Sequence, residues 1–503
     1  MERYDEVPVL VAGGSLVGLS AALFLAHHDV PVLSVERHPG PAIHPRAAFI
    51  MQRTIELYRG VGLEDAIVEA SELEFEQDGA IMSVESLGGK ELEWYFRHVN
   101  EDVEHLSPSP RLFITQIGLE PILRERAREL GADVRYSTEL VSFEEDADGV
   151  TATIRDRESG DERRIRARYL IAADGVRSPI RERLGIRWQG HGSFSRSITI
   201  YFKADVNPLV RGRNLSVIYV FHPELQGFFR FSKAGDAGFL VVNTAVKPDG
   251  SKDRDLWDDT SDERCVEYVR TALGDPELAV EIENVQRWVA QADWAERFRQ
   301  GRVFLAGDSA HVMPPTGGYG GNTGVHDAHN LAWKLAYVLD GRAGEALLDT
   351  YDAERRPISA STVEQAYTRY VLRLDPDLGK ENLAPIVGDP QIDLGYRYRS
   401  AAVLDADDDD GLYEDPNEPS GRPGTRAAHR PLDGGRSTID LFGREFVLLA
   451  GEEWKDAAAG LRVHPGEGKA AMLVRPDGFI GWRTDGPPDA EALKDSLARI
   501  LAR

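Results

Sequence analysis

The sequence predicts an α/β protein of three parts: a parallel sheet with helices on its faces, an antiparallel sheet, and a small α/β unit at the C-terminal end. Three observations predict it. Residues 9–11, 169–173 and 303–306 are short apolar runs without alternation, the mark of parallel strands buried on both faces, and each leads into a turn of glycine or aspartate. Residues 196–242 alternate instead, as in Ile198, Ile200, Phe202 and Val217, Tyr219, Phe221, which is the pattern of an antiparallel sheet with one aromatic-rich face. Beyond the Pro- and Gly-rich stretch 416–424, two strand-like runs and a helix stand apart as a separate unit.

The first unit, residues 7–36, reads strand, turn, helix, strand. Gly13-Gly14-Ser15-Leu16-Val17-Gly18 is the turn, an Ala/Leu-rich helix runs on to His28, and Glu36 ends the next strand. This is the layout of a dinucleotide-binding βαβ unit, with an ordinary Gly-rich turn as the alternative. The glycines let the backbone approach a pyrophosphate, the helix N-terminus offers it N–H groups and partial positive charge, and Glu36 can accept from ribose hydroxyls. Ser15 stands where the fingerprint usually has its second glycine. Its hydroxyl can bond a phosphate oxygen, but a positive φ there would be strained. The next loop is held extended by Pro41 and Pro45 and carries Arg46, which reads equally as a cofactor ligand or a solvated loop arginine.

Helices are predicted over 51–59 and 119–130, and strands over 74–94 and 132–136; residues 141–154 and 162–168 read as a hairpin over 156–160. Gln116 stands at a helix start from which a side chain can reach a nucleotide. Asp174-Gly175 lies on a strand-to-helix turn whose helix opens with Ser178 as N-cap and Pro179 at its first position. Such turns hold ligands in α/β sheets, although Asp174 also reads as a simple turn former. Residues 262–273 form an amphipathic helix with Cys265 as buried filler. The third strand passes through Gly307-Asp308 into Met313-Pro314-Pro315-Thr316-Gly317-Gly318-Tyr319-Gly320-Gly321-Asn322. This loop, aimed at a helix N-terminus, exposes N–H groups to something flat and electron-rich. His326 and His329 follow on that helix without a further ligand set, so no metal is expected. Residues 351–373 read as a helix broken or restarted near Pro357, and 405–410 as a solvated acidic loop. In the last unit 438–449 and 470–482 read as strands, the second folded over Pro476-Asp477-Gly478, with a helix over 489–501.

The chain has 503 residues, 42% of them hydrophobic, enough for two or three domains. Its formal net charge of −25 argues against nucleic acid and anionic membrane as partners. A single cysteine excludes an intramolecular disulfide and fits a reducing compartment. The first strand starts within ten residues of Met1, leaving no room for a signal peptide, and no apolar run is long enough to span a bilayer; a cytoplasmic protein is expected.

The three turns, in this order and with an aromatic antiparallel sheet between the second and third, resemble the class A flavoprotein aromatic monooxygenases, the family of para-hydroxybenzoate hydroxylase and bacterial phenol hydroxylases. The last unit resembles the thioredoxin-like domain of aromatic-polyketide hydroxylases of the aklavinone type, a likeness supported by Tyr396-Arg397-Tyr398-Arg399-Ser400 and the linker. The resemblance implies a glutathione-reductase-like FAD-binding domain over 1–190 and 285–400, an antiparallel substrate-binding sheet over 191–284, and a thioredoxin-like domain with its linker over 401–503. It implies that Gly13, Ser15, Leu16 and Gly18 hold the FAD pyrophosphate, with Glu36 on the adenosine ribose and Arg37 beside the adenine. Arg46 and Gln116 would reach the cofactor, and Asp174 would sit near the pyrophosphate and the nicotinamide route. Asp308 would take the ribityl chain. Pro315, Gly318, Gly320, Gly321 and Asn322 would line the isoalloxazine ring. Tyr319 departs from the family, where many relatives have glutamine.

The activity implied is hydroxylation of a phenolic or polyketide-type aromatic ring with NAD(P)H and O2, through a flavin C4a-hydroperoxide that must be shielded from water. No second nucleotide unit is visible; the resemblance implies that NAD(P)H docks transiently near the flavin. No general base stands out; Pro315, Tyr219, His222, Arg369 and Arg373 are the candidates near the substrate, each also readable as structural. A monomer or homodimer is expected. An FAD-dependent epoxidase or atypical ring oxidase, or a non-catalytic flavin-binding protein, are the competing readings.

Overall fold

The computed structural model describes residues 5–43, 48–247, 250–405, 409–458, 460–466 and 470–503. The first sheet has the order Arg299–Gln300, Val303–Leu305, Glu162–Ala172, Asp5–Ala12, Val32–Val35, Asp133–Arg135. Its four central neighbour pairs are parallel. Val9, Leu10, Val11, Leu170 and Phe304 are wholly buried, which is why these runs show no alternation. Register decides where the turns go. Ala12 pairs with Ala172 and Val35, and Leu305 with Ala172. The three turns and Glu36 therefore leave the sheet side by side at its carboxyl edge, where open α/β sheets bind ligands.

The second sheet has nine strands, including Trp188–Lys203, Leu215–His222, Leu225–Phe231, Ala237–Val246 and Glu281–Ala295. Its neighbours are antiparallel except Leu215–His222 with Ala80–Val84. Ile198, Ile200, Phe202, Ile218, Val220 and Phe229 pack on one face with helix Asp262–Leu273 and its buried Cys265. Val217, Tyr219, Phe221 and Phe228 form the other face, against Tyr370 and Leu374. Strands Ala80–Val84 and Glu91–Phe96 join this sheet from far outside 191–284, and Glu281–Ala295 runs beyond its end.

The C-terminal sheet has the order Arg462–Pro465, Val447–Ala450, Ala471–Val474, Ile480–Thr484, with the first pair parallel and the rest antiparallel. Helix Ala490–Ile500 follows, capped by the Asp489 carboxylate. This second-first-third-fourth order is thioredoxin-like. Gly451-Glu452-Glu453-Trp454 follows the first strand, without cysteine.

Four readings of local structure need correction. Residues 141–154 are two strands, Thr138–Glu145 and Val150–Asp156, because the Asp146 carboxylate accepts from the N–H groups of Asp148 and Gly149 and closes a turn. Residues 64–74 are a helix, so the strands expected from 74 begin at Ala80. Pro357 lies inside the unbroken helix Asp349–Arg373, whose neighbouring Glu354 and Arg355 are anchored in buried ion pairs. Only Val447–Ala450 of the run 438–449 is strand; the Ser437 and Asp440 side chains cap a 3₁₀ turn before it.

Candidate active site

The turn at the end of the first strand is a cradle that only glycine fits. Gly13 has φ 119°, and a Cβ there would lie 2.1 Å from the Ala173 carbonyl oxygen; one on Gly18 would lie 2.0 Å from the Gly13 oxygen. Glu36 is fixed beneath it: Oε2 accepts from Gly14 N–H at 2.8 Å and Oε1 from His38 N–H at 2.9 Å. Ser15 has φ −93°, so it needs no glycine conformation. Its hydroxyl donates to Glu120 Oε1 at 2.6 Å, as does Leu16 N–H at 3.0 Å. Gln116 Nε2 reaches the same cluster, 3.3 Å from Ser15 Oγ and 3.2 Å from Glu120. Arg37 is exposed beside the turn, and Arg46 lies outside the described residues.

Asp174 stands on the adjoining turn. Its Oδ1 is buried without a hydrogen-bond partner among the described residues, and burial holds the carboxyl above the usual carboxylate range. Asp308 is exposed on the third turn, Gly307–Ser309. That turn is fixed from below by Asp327, which accepts from Gly307 N–H at 3.1 Å and Arg355 Nε at 2.8 Å and bonds His311 at 2.7 Å.

The glycine-proline loop enters helix Tyr319–Leu339 through Gly317 and Gly318 at φ 91° and 70°. Pro315 is exposed, and Gly320 and Gly321 open the helix. Asn322 turns inward rather than to the loop's open side. Its Oδ1 accepts from Met51 N–H at 3.0 Å, and its Nδ2 donates to the Phe49 and Gly318 carbonyls at 3.0 and 2.8 Å. Tyr319 likewise points into the protein: its hydroxyl donates to Asp389, which also accepts from Arg369 Nη2 at 3.0 Å.

Three of the substrate candidates converge here. Arg373 stands beside the buried Tyr219 phenol and lies 4.8 Å from the Tyr95 ring centre; Arg369 stands one helical turn away. Burial raises the Tyr219 phenol, and Arg373 opposes that shift. Tyr95, Phe228 and Phe194 crowd around this pair. His222 is not among them. Strand alternation turns it to the opposite face, where Nδ1 accepts from Glu224 N–H at 3.2 Å. His326 and His329 take separate partners, Thr54 and the Phe24 ring.

Two site residues were missed in the sequence. Glu120 shares a helix face with Gln116, four residues earlier, and that spacing was a usable signal. Arg230 follows Phe228 on the aromatic face of strand Leu225–Phe231. It lies between the rings of Phe75 and Phe113, 3.6 and 4.3 Å from their centres, and donates to the Ala48 carbonyl at 2.9 Å. Its Nε and Nη2 have no hydrogen-bond partner among the described residues, and burial pushes it down to about 9. A buried cation with open donors suits an electron-rich ligand.

Residues 6–366 match the family model described as an FAD binding domain, and 420–503 that of the aromatic-ring hydroxylase C-terminal domain. The chain belongs to the FAD-dependent aromatic hydroxylases. This hydroxylase is 50% identical to 4-methyl-5-nitrocatechol 5-monooxygenase of Burkholderia sp., over 99% of this chain and 98% of the relative. It is 40% identical to tetracenomycin A2 monooxygenase-dioxygenase of Streptomyces glaucescens, over 99% and 97%. The crystal structure of aklavinone-11 hydroxylase with FAD and aklavinone matches with a TM-score of 0.93 at 39% identity, covering both chains fully. The hydroxylase's own geometry fits FAD: a cradle that a Cβ would fill, Glu36 held at its rim, and a loop whose Asn322 and Tyr319 side chains turn inward. No helix among the described residues is long and apolar enough to cross a membrane.

Proposed function

We propose that this hydroxylase adds one oxygen atom of O2 to an electron-rich, hydroxyl-bearing aromatic ring of the catechol or polyketide class, with NAD(P)H as electron donor. The Tyr219–Arg373 pair, set into an aromatic wall one helical turn from the Arg369–Asp389–Tyr319 anchor of the cofactor loop, carries this reading. When bound, FAD supplies the activation of O2 and the oxygen transfer.

The residues divide the remaining work. Gly13, Ser15, Leu16 and Gly18 would take the pyrophosphate, Glu36 the adenosine ribose and Arg37 the adenine side. Gln116, Asp174, Arg46 and Asp308 would face the linking groups of the cofactor, and Pro315, Gly318, Gly320 and Gly321 the ring. Asn322 would act by shaping the loop. The partial positive charge of helix Tyr319–Leu339 would favour negative charge on the reduced ring without reorganisation. Tyr95, Phe194, Phe221 and Phe228 would exclude water. Tyr219 Oη would hold the substrate hydroxyl, and the Arg373 guanidinium would favour its deprotonated oxygen, which makes the ring richer in electrons. Relatives named for a nitrocatechol and for polyketides support the substrate class.

The test is turnover of NADH and NADPH with a panel of catechols, nitrocatechols and polyketide phenols, following O2 uptake and product mass. One added oxygen atom per NAD(P)H is expected, and Tyr219→Phe and Arg373→Met should lose product while keeping bound FAD. If substrate-stimulated NAD(P)H oxidation yields only peroxide throughout the panel, or a product of ring cleavage or epoxidation, the reading is wrong.

A further inference from the structure

We propose that Glu120 is a proton-taking gate of the pyrophosphate site: its carboxylate is neutralised as FAD binds, so the hydroxylase takes up a proton with its cofactor. The inference rests on FAD binding and not on the reaction proposed above.

Glu120 is fully buried, yet its carboxylate sits at the N-terminus of helix Leu16–His27, where an anion would sit. Oε1 accepts from the Ser15 hydroxyl at 2.6 Å, Leu16 N–H at 3.0 Å and Gln116 Nε2 at 3.2 Å; Oε2 accepts from Ala42 N–H at 2.7 Å. The turn's own hydroxyl and one of its amides are thus spent on an internal anion. A pyrophosphate arriving at the same turn brings further negative charge beside Glu120 and Glu36.

Few charges nearby among the described residues offset this. Among the described residues no cation pairs with Glu120. Around it stand Glu36, across the turn; Tyr136, whose hydroxyl donates to the Gly14 carbonyl at 3.4 Å; and Tyr58, behind the helix. On its own helix Arg124 lies over the Tyr136 ring, and Arg128 is bonded to the Val134 carbonyl. His38 lies 4.0 Å from Glu36, and Arg37 is exposed. Burial already lifts the Glu120 carboxyl above its ordinary range, and Glu36 adds to the lift.

Protonation resolves the conflict without moving the side chain. The acid O–H can donate to Ser15 Oγ, reversing that 2.6 Å hydrogen bond, while the second oxygen keeps accepting from Ala42 N–H. The Ser15 hydroxyl hydrogen is then free to donate to a phosphate oxygen. The proton comes from solvent, and no other bond changes. Swinging Glu120 out would instead leave the half-buried Ala42 amide without its acceptor.

The sign follows from linkage. A group whose proton affinity rises on binding makes FAD affinity fall as pH rises between the free and bound pKa values, by at most about tenfold per pH unit. The experiment measures FAD dissociation from apoprotein by flavin fluorescence between about pH 5.5 and about pH 8.5, with calorimetry in phosphate and Tris buffers to count protons. Wild type should bind FAD more weakly as pH rises and show a buffer-dependent heat of proton uptake. Glu120→Gln, which carries no titratable proton at this position, should bind FAD with neither effect. His38→Gln should keep both. If wild type shows no proton uptake, or if Glu120→Gln keeps the wild-type slope while His38→Gln loses it, the proposal fails. Absence of proton uptake in the wild-type calorimetry overturns the proposal even if a variant does not fold.

Discussion

Replacing Arg475 by methionine probes how the thioredoxin-like domain holds the cofactor helices. Arg475 is fully buried between two carboxylates. Nη1 and Nη2 reach Glu354 Oε1 and Oε2 at 2.6 and 2.8 Å, and Nε reaches Asp477 Oδ1 at 3.1 Å. Glu354 also accepts from Lys334 at 2.7 Å, Asn330 at 2.8 Å and Ser400 at 2.6 Å, while Asp477 accepts from Trp333 Nε1 at 3.2 Å. Asn330, Trp333 and Lys334 lie on helix Tyr319–Leu339, and Glu354 on helix Asp349–Arg373. One side chain thus ties the C-terminal hairpin to the helix that opens at the glycine-proline loop and to the helix that carries Arg369 and Arg373. Methionine roughly fills the space but leaves Asp477 buried without its counter-charge. Removing one member of a buried ion pair costs about 3–5 kcal/mol, a large part of the 5–15 kcal/mol that typically holds a domain together. Urea unfolding of the holoprotein, followed by tryptophan and by flavin fluorescence, should show that loss, with flavin released early. Replacing Asp477 by asparagine as well should recover part of it, because the uncompensated charge goes too; the coupling should be about 1–3 kcal/mol. A destabilisation below about 1 kcal/mol for Arg475→Met would refute the idea that this cluster binds the domains together.

Three further outcomes follow from the geometry. Gly18→Ala should purify without FAD and show no flavin absorbance, because its Cβ has only 2.0 Å to the Gly13 oxygen. Asp327→Asn keeps the shape but removes the charge between Arg355 and His311, so it should destabilise by about 3–5 kcal/mol in chemical denaturation and loosen FAD measurably in equilibrium dialysis. Asp393 is pushed up to about 6 by burial, while its carboxylate caps Gln52 and Arg53 N–H. The native state therefore binds the extra proton between about pH 4 and about pH 6, and stability falls as pH rises through that window by about 1.4 kcal/mol per unit. Asp393→Asn should flatten that part of the stability–pH curve; an unchanged curve would mean that another group causes it.

Much of the fold was legible because the signals are local. The unalternating strands, the glycine turn, the Ser178-Pro179 helix start and the hairpin at Pro476-Asp477-Gly478 are each dictated by neighbours within a few residues. Pro357 and the run 438–449 misled for the opposite reason: buried ion pairs and side-chain caps, made with distant or unrecognised partners, overrode local propensity. Ser15 raised a doubt from its type alone that its extended φ removes.

By itself, the sequence determined that this chain builds a strand–turn–helix unit of the dinucleotide-binding layout, a glycine-proline loop and an aromatic sheet, because glycine placement and apolar periodicity are properties of short stretches. Only the tertiary structure decided what those stretches meet. The register Ala12–Ala172–Leu305 brings the three turns to one edge, strand alternation puts Tyr219 with Arg373 and sends His222 away, and helix packing sets Glu120 against Ser15 and Leu16. Contacts between residues a hundred positions apart depend on how whole elements dock, and no local pattern encodes that docking.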